Sequence, residues 1–381
     1  MLDALRGFLA LYVLLGHSRW LLWAGHSSWI NVKHSWWQDV LAYSSAAFRY
    51  GHEAVWVFFA LSGFFIHLRF ASKLKLETNS NSLDVKRYFR RRTLRILPPY
   101  AMALFATLLL DVFGRHFFES LYLASTEDAF INRLFAFKTY DKESVFSAFL
   151  LLPSSTGKDF GTNGPLWSIA YEVVYYIAYP CWLIVRRINW IVAFGVIPLG
   201  ILLLVPVAEM LLPAFSYLGF ASQVLLKYPV WLAGAGLAEL VMRFGSKTAL
   251  RLAVGCTALS SAFYLVTRLP TASALVVSCL CASVIALACA SSPRINAVGI
   301  TTFFRYMGIR SYSIYIFHFP LLSLISAYLF AEFGGRPQSG WMAFWGSVAA
   351  VVYGCTCYEF CERWFLHRNC RISPPELRGK P

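Results

Sequence analysis

Apolar runs about twenty residues long recur along almost the whole chain, separated by polar stretches of unequal length. A helix of that length rises about 30 Å, the thickness of the hydrocarbon layer of a bilayer. Lipid offers no partner to a backbone N–H or C=O, so such runs are read as helices, which satisfy those groups internally. The pattern predicts ten spans, near residues 4 to 24, 53 to 70, 93 to 113, 165 to 185, 189 to 208, 221 to 242, 249 to 267, 271 to 291, 309 to 330 and 341 to 364. The fold class expected is all-α, a polytopic integral membrane protein, with 1–370 as one integral domain and 371–381 as a cytoplasmic tail. No internal repeat is visible.

The first four spans are joined by long connections and the later ones by short links, so function is expected to gather early in the chain. The longest connection runs from Gly114 to Gly164. Its stretch "FESLYLASTEDAFINRLFAFKTYDKESVFSAFLLL" mixes apolar and charged residues as an amphipathic helix on a membrane surface does. The following "SSTGKDFGTNG" reads as a loop.

Composition agrees with this reading: 58% of residues are hydrophobic and only 14% charged, against about 25% charged in a soluble domain. The formal charge of +15 would suggest nucleic acid in a soluble protein, but here the placement of the charges decides. With ten spans, one side of the membrane collects 21 Lys and Arg residues and the other 10. The positive-inside rule then makes both termini cytoplasmic and removes nucleic acid as a partner. The first helix lacks a basic leader and a small-residue cleavage site, so it is expected to stay uncleaved. No cysteine falls in a loop assigned to the outside, so no disulfide framework is expected, and the spacings "CTC" and "CLC" suit no metal site, so no metal is expected.

Within the spans, polar residues need a reason. The first run, "MLDALRGFLALYVLLGHSRWLLWAG", carries Asp3, Arg6 and His17, and a charge at the bilayer centre costs about 3 kcal/mol on insertion scales. Arg6 and His17 are eleven apart, which puts them on one helix face about 16 Å apart, His17 toward the outer side. Arg6 either snorkels to lipid phosphates or serves the chemistry. An imidazole is the usual proton-transfer group, although hydrogen bonding to a neighbouring helix is the alternative.

In "GHEAVWVFFALSGFFIHLRF", Ser62 and Gly63 remove bulk for close helix approach or a cavity wall, while His52, Glu53, His67 and Arg69 read as boundary residues. The run "KRYFRRRTLRILPPY" serves either as a topology signal attracted to anionic lipid or as an anion site, with Arg91 and Arg95 on one face. Span four, "NGPLWSIAYEVVYYIAYP", flanks Glu172 with Ser168 and Tyr176 four residues to either side. Glu172 is a functional candidate or the partner of Arg6 or Arg95. "RSYSIYIFHFPLL" aligns Ser311, Tyr315 and His318 before Pro320, with His318 either satisfied by tyrosine in the core or facing a cavity. Glu359, Glu362 and Arg363 in "YEFCERWF" suggest a structural ion pair.

Six of these segments, in this order along almost the whole chain, resemble the membrane acyltransferase family 3: "LDALRGFLALYVLLGHS", "VFFALSGFFI", "RRRTLRILPPY", "GPLWSIAYEVVYYIAYP", "SYSIYIFHFPLL" and "YEFCERWF". The resemblance implies O-acyl transfer, most often of acetyl, from cytoplasmic acyl-coenzyme A (acetyl-CoA) to a hydroxyl of a carbohydrate or lipid-linked glycan, in the bacterial inner membrane among membrane lipids. Exopolysaccharide, O-antigen, peptidoglycan and small glycosides are all acceptors of this kind. Carried over, Arg6 and His17 match the family's Arg-x10-His signature, and Ser62 and Gly63 its Ser-Gly-Phe stretch. Arg91 or Arg92 with Arg95 match its basic motif, and Trp167, Ser168 and Glu172 its Trp-Ser-x-x-x-Glu motif. Trp56 departs from the pattern, since relatives often carry a polar residue before the Phe-Phe pair. The expected roles are His17 as base with Arg6 and Glu172, arginines on the coenzyme A phosphates, and Ser62, Gly63, Trp167, Ser168, Tyr315 and His318 around the substrate. A transporter or flippase is the competing class, but such proteins commonly show repeated halves.

Overall fold

The computed structural model describes residues 1–25, 35–75, 83–211, 219–291 and 299–365; the expected tail at 371–381 lies outside them. Fifteen α-helices occur among the described residues. They are α1 (Leu2–Leu22), α2 (Trp36–Ser45), α3 (Gly51–Lys75), α4 (Val85–Phe117), α5 (Glu119–Tyr122), α6 (Ala129–Phe135), α7 (Lys142–Phe149), α8 (Trp167–Ile188), α9 (Ile197–Leu211), α10 (Gly219–Phe244), α11 (Ser246–Thr267), α12 (Pro270–Ala290), α13 (Gly299–Ile309), α14 (Ser311–Phe333) and α15 (Trp341–Cys357). Two short strands, β1 (Lys138–Thr139) and β2 (Asp159–Phe160), pair in parallel. The chain is an all-α polytopic membrane protein. Among the described residues, eight helical stretches are long and apolar enough to cross a membrane, and they coincide with the second to ninth expected spans. The first and tenth expected spans are helical too, as α1 and α15.

The chain divides into two compact units that alternate along the sequence. One comprises Met1–Leu5, His52–Asp84 and Tyr171–Arg305. In it α10 packs against α9, α11 and α12. Its approach to α3 is set by glycine: a Cβ at Gly63 would collide with the Trp231 carbonyl, and one at Gly234 with the Ala60 carbonyl. The close packing expected of the Ser-Gly pair is therefore what Gly63 provides, because small residues let two backbones meet where lipid gives helices no other reason to associate.

The second unit comprises Arg6–Gly51, Val85–Ala170 and Tyr306–Pro381. Its centre is α14, packed against α4, α5 and α15 and buried along most of its length. Here the expected amphipathic helix of the 114–164 connection is corrected. It is broken into α5, α6 and α7, because aspartates restart the helix twice: Asp128 accepts from the Phe130 and Ile131 N–H groups, and Asp141 from that of Ser144. Such caps satisfy the orphan donors of a new first turn and so favour a break over a continuous helix. The connection is pinned to α4 by the fully buried Asp111, whose carboxylate accepts from Thr162 N (2.8 Å), Thr162 Oγ1 (2.6 Å) and the Tyr140 hydroxyl (2.8 Å). Burial first, and the Asp111 charge second, push the Tyr140 phenol up, so it remains a donor.

Candidate active site

Helix α1 is apolar nearly all round, and its one imidazole, His17, is half-buried. His17 Nδ1 lies 2.8 Å from His318 Nε2, with the two rings nearly parallel at 7° and their centroids 5.1 Å apart. His318 is fully buried, and its Nδ1 is 2.7 Å from the Tyr315 carbonyl and 3.1 Å from that of Ile314. Phe319 and Trp20 meet the His17 ring edge-on at 5.1 and 6.0 Å. Trp20 in turn packs against Phe130 and Phe319. Arg336 secures that end of α1 by donating to the Trp20 carbonyl (2.9 Å) and to Asp128 Oδ2 (2.9 and 2.5 Å).

Beside this pair, Ser168 Oγ lies 2.9 Å from the Tyr315 hydroxyl, and both reach the Pro165 carbonyl, at 3.2 and 3.1 Å. Pro320 has no N–H to give the Ile316 carbonyl one turn before it. Asn163 Nδ2 donates to that oxygen instead, at 2.9 Å, and to Thr107 Oγ1 at 3.0 Å. Trp167 is half-buried at the start of α8. Lys138, also buried, pairs with Asp159 at 2.9 Å and sits 5.0 Å from the Phe319 ring centre.

At the other end of the same unit, the buried Glu362 accepts from Ser313 Oγ at 2.6 Å and interacts electrostatically with both Arg6 and Arg95. The sequence offered Glu172 as partner to those arginines; in this unit the carboxylate that faces both is Glu362. Arg91, Arg92 and Arg95 are all half-buried, in contrast to the exposed Arg90, and the Arg92 guanidinium lies 5.9 Å from the Tyr88 ring centre. The anticipated ion pair is present and larger than expected, since Glu359 bonds both Arg310 (2.6 Å) and Arg363 (2.5 Å).

In the first unit, Glu172 Oε1 accepts from Ser62 Oγ at 2.9 Å and from the Tyr176 hydroxyl. Of the two hydroxyls expected around Glu172, only Tyr176 is bonded to it, and Ser62 stands where Ser168 was anticipated. Among the described residues no group of three or more His, Cys, Asp or Glu side chains is disposed to hold a metal ion.

The acyltransferase domain family matches residues 1–359, nearly the whole chain. The chain belongs to membrane acyltransferase family 3. No curated protein and no solved structure gives a match. The acyltransferase assignment favours the enzyme reading over a transporter.

Sequence reasoning on this acyltransferase missed two features. His67, taken as a boundary residue, is fully buried: its Nε2 is 2.8 Å from Glu239 and its Nδ1 3.2 Å from the Tyr179 hydroxyl. Arg186, directly after the fourth expected span, is buried as well, donating to both Glu239 oxygens at 2.6 and 2.5 Å. An acidic residue inside the apolar "GLAELV" was the available signal, because a carboxylate there requires a cation. The second is the pairing of His17 with His318, which no spacing along the chain reveals.

Proposed function

We propose that this membrane acyltransferase moves an acetyl group from cytoplasmic acetyl-CoA to a hydroxyl of a carbohydrate or lipid-linked glycan at a bacterial inner membrane. The observation that carries the reading is the His17 imidazole, half-buried in an apolar helix and hydrogen-bonded to a second imidazole. A sugar hydroxyl is a weak nucleophile at neutral pH and needs a base at attack distance, whereas a thioester is already an activated acyl group. His17 takes the hydroxyl proton as the oxygen attacks the thioester carbonyl. The C–O bond forms, the C–S bond breaks, and the departing thiolate receives the proton. Arg91, Arg92 and Arg95 hold the coenzyme A phosphates, with Arg6 adding charge at the same end of its unit, because guanidinium forks match phosphate oxygens. Trp167, Ser168 and Tyr315 border the acceptor. Glu172, held within its own unit by Ser62 and Tyr176, is a further catalytic candidate.

Ten spans with both termini in the cytoplasm fit this direction of transfer. Reporter fusions after Gly51 and Gly164 should then report the outside, and one after Arg87 the inside. The activity is tested by measuring acetyl on the host's surface glycans with wild-type protein, with the gene deleted, and with His17→Ala. Deletion should remove the ester, and His17→Ala should match deletion at an unchanged amount of folded protein. An active His17→Ala protein would overturn the base assignment.

A further inference from the structure

We infer that His318 is a positioning residue, which holds His17 with its proton on Nδ1 and its lone pair on Nε2. The inference rests on the reading of His17 as the base and adds how that base is kept in the reactive form. It follows from counting protons. A backbone carbonyl only accepts hydrogen bonds. His318 Nδ1 faces two of them, Tyr315 O at 2.7 Å and Ile314 O at 3.1 Å, so Nδ1 carries the hydrogen. A neutral imidazole has a single N–H, which leaves the lone pair on His318 Nε2. That nitrogen is 2.8 Å from His17 Nδ1, so His17 must be the donor. The lone pair of neutral His17 is thereby directed to Nε2.

The lock comes from α14 itself, because the two carbonyls lie three and four residues before His318 in the same helix. Phe319 and Trp20, edge-on to His17, hold its ring in the orientation that keeps the bond. When His17 gains a proton at Nε2, its Nδ1–H still points at His318, now as a charge-assisted and stronger bond. A carboxylate does this work in the Ser-His-Asp arrangement. A neutral imidazole does it here without adding another charge to a lipid-embedded helix.

Two amides separate the two halves of this role. Gln at 318 reaches with its Oε1 toward the position of the His318 Nε2 acceptor, whereas Asn reaches only as far as the Nδ1 position. The experiment uses full-length protein in nanodiscs, with labelled acetyl-CoA and total glycolipid extracted from the host as acceptor. His318→Asn and His318→Leu should lower turnover by about 100-fold or more, the usual scale for proton transfer by a well-placed group. The KM for acetyl-CoA should stay constant, and His318→Gln should remain within about tenfold of wild type. Equal losses for Gln and Asn, or full turnover for Leu, would overturn the inference. A second readout needs no variant to be active: nitrogen NMR of histidine-labelled wild-type protein should show His318 protonated at Nδ1 and bare at Nε2. The opposite tautomer overturns the inference even if every replacement fails to fold. Failure of the underlying reading looks different, since then His17→Ala stays active, whereas failure of the lock alone leaves His17→Ala inactive with the tautomer reversed.

Discussion

Replacing Asn163 tests how α14 carries Pro320 beside the candidate site. The proline leaves the Ile316 carbonyl without its helical donor, and Asn163 Nδ2 supplies one at 2.9 Å in a residue only 1% exposed. In Asn163→Leu that carbonyl is buried and unmet, which costs about 1–3 kcal/mol. Thr107 also loses an incoming bond, but its hydroxyl still donates to Ala103 O at 2.7 Å, so this part is small. Against it, Asn163 Oδ1 has no hydrogen-bond partner among the described residues. Leu removes that buried acceptor, and the net destabilisation should be about 1–2 kcal/mol. Asn163→Asp should cost more, above about 3 kcal/mol, because it turns a donor into an oxygen facing the Ile316 oxygen.

The decisive comparison is a cycle with Pro320→Ala, which restores an N–H one turn after Ile316. In that background Asn163→Leu should cost about 1 kcal/mol less, the interaction energy of two sites that serve one carbonyl. Unfolding of full-length protein by detergent titration, followed through its 13 tryptophans, measures each corner. Additivity within about 0.5 kcal/mol, or Asp no worse than Leu, would refute the reasoning.

Three further outcomes are expected. Glu239→Leu or Arg186→Leu alone should destabilise by about 3–5 kcal/mol, by leaving a buried charge without its partner, while the double replacement should cost much less; additive losses in the same titration would count against a shared pair. Arg91→Ala with Arg95→Ala should weaken binding of acetyl-CoA, measured directly by calorimetry, without loss of inserted protein, and unchanged affinity would leave the run as a topology signal. Asp141, hydrogen-bonded first by Lys158 and then by the Ser144 N–H, has its carboxyl held down to about 2, below the ordinary value of about 3.9. A lowered folded value means that its contribution is present above pH ~4 and fades as pH falls toward ~2, so protease resistance of the 119–163 segment should be flat from pH 8 to 5 and decline only below about 4. Lys158→Ala should weaken that acid step, leaving the part that the Ser144 N–H supplies.

Span positions were legible because length and apolarity are local properties of the chain, and lipid enforces them. The candidate side chains of α1, α4, α8 and α14 were legible for a related reason, since each is polar where a polar group is costly. Partnership was not. His17 and His318 are 301 residues apart, and Arg186 and Glu239 are 53 apart; helix periodicity says which face a residue occupies but not which helix meets that face. The same limit explains Glu172, where the i, i+4 rule found Tyr176 but proposed Ser168 in place of Ser62 on another helix. The broken 114–164 connection was misread because its average amphipathicity hid two capping aspartates.

In lipid every polar group is driven to find a partner, so hydrogen-bond satisfaction alone cannot separate a catalytic side chain from a packing one. The separation lies in what a group can still do with a proton. Glu239 receives His67, both Arg186 contacts and, at 3.3 Å, Arg243. A proton added there would have to displace a bond, and the cluster is best described as a fixed support for α3, α8 and α10. His17 differs because its bond to His318 runs through Nδ1 and survives in either protonation state, so accepting a proton at Nε2 leaves the pair intact. It is also half-buried, where His67 and His318 are closed off from solvent. A base has to exchange a proton without dismantling its own support, and of these three histidines His17 is the half-buried one whose supporting bond to His318 permits it.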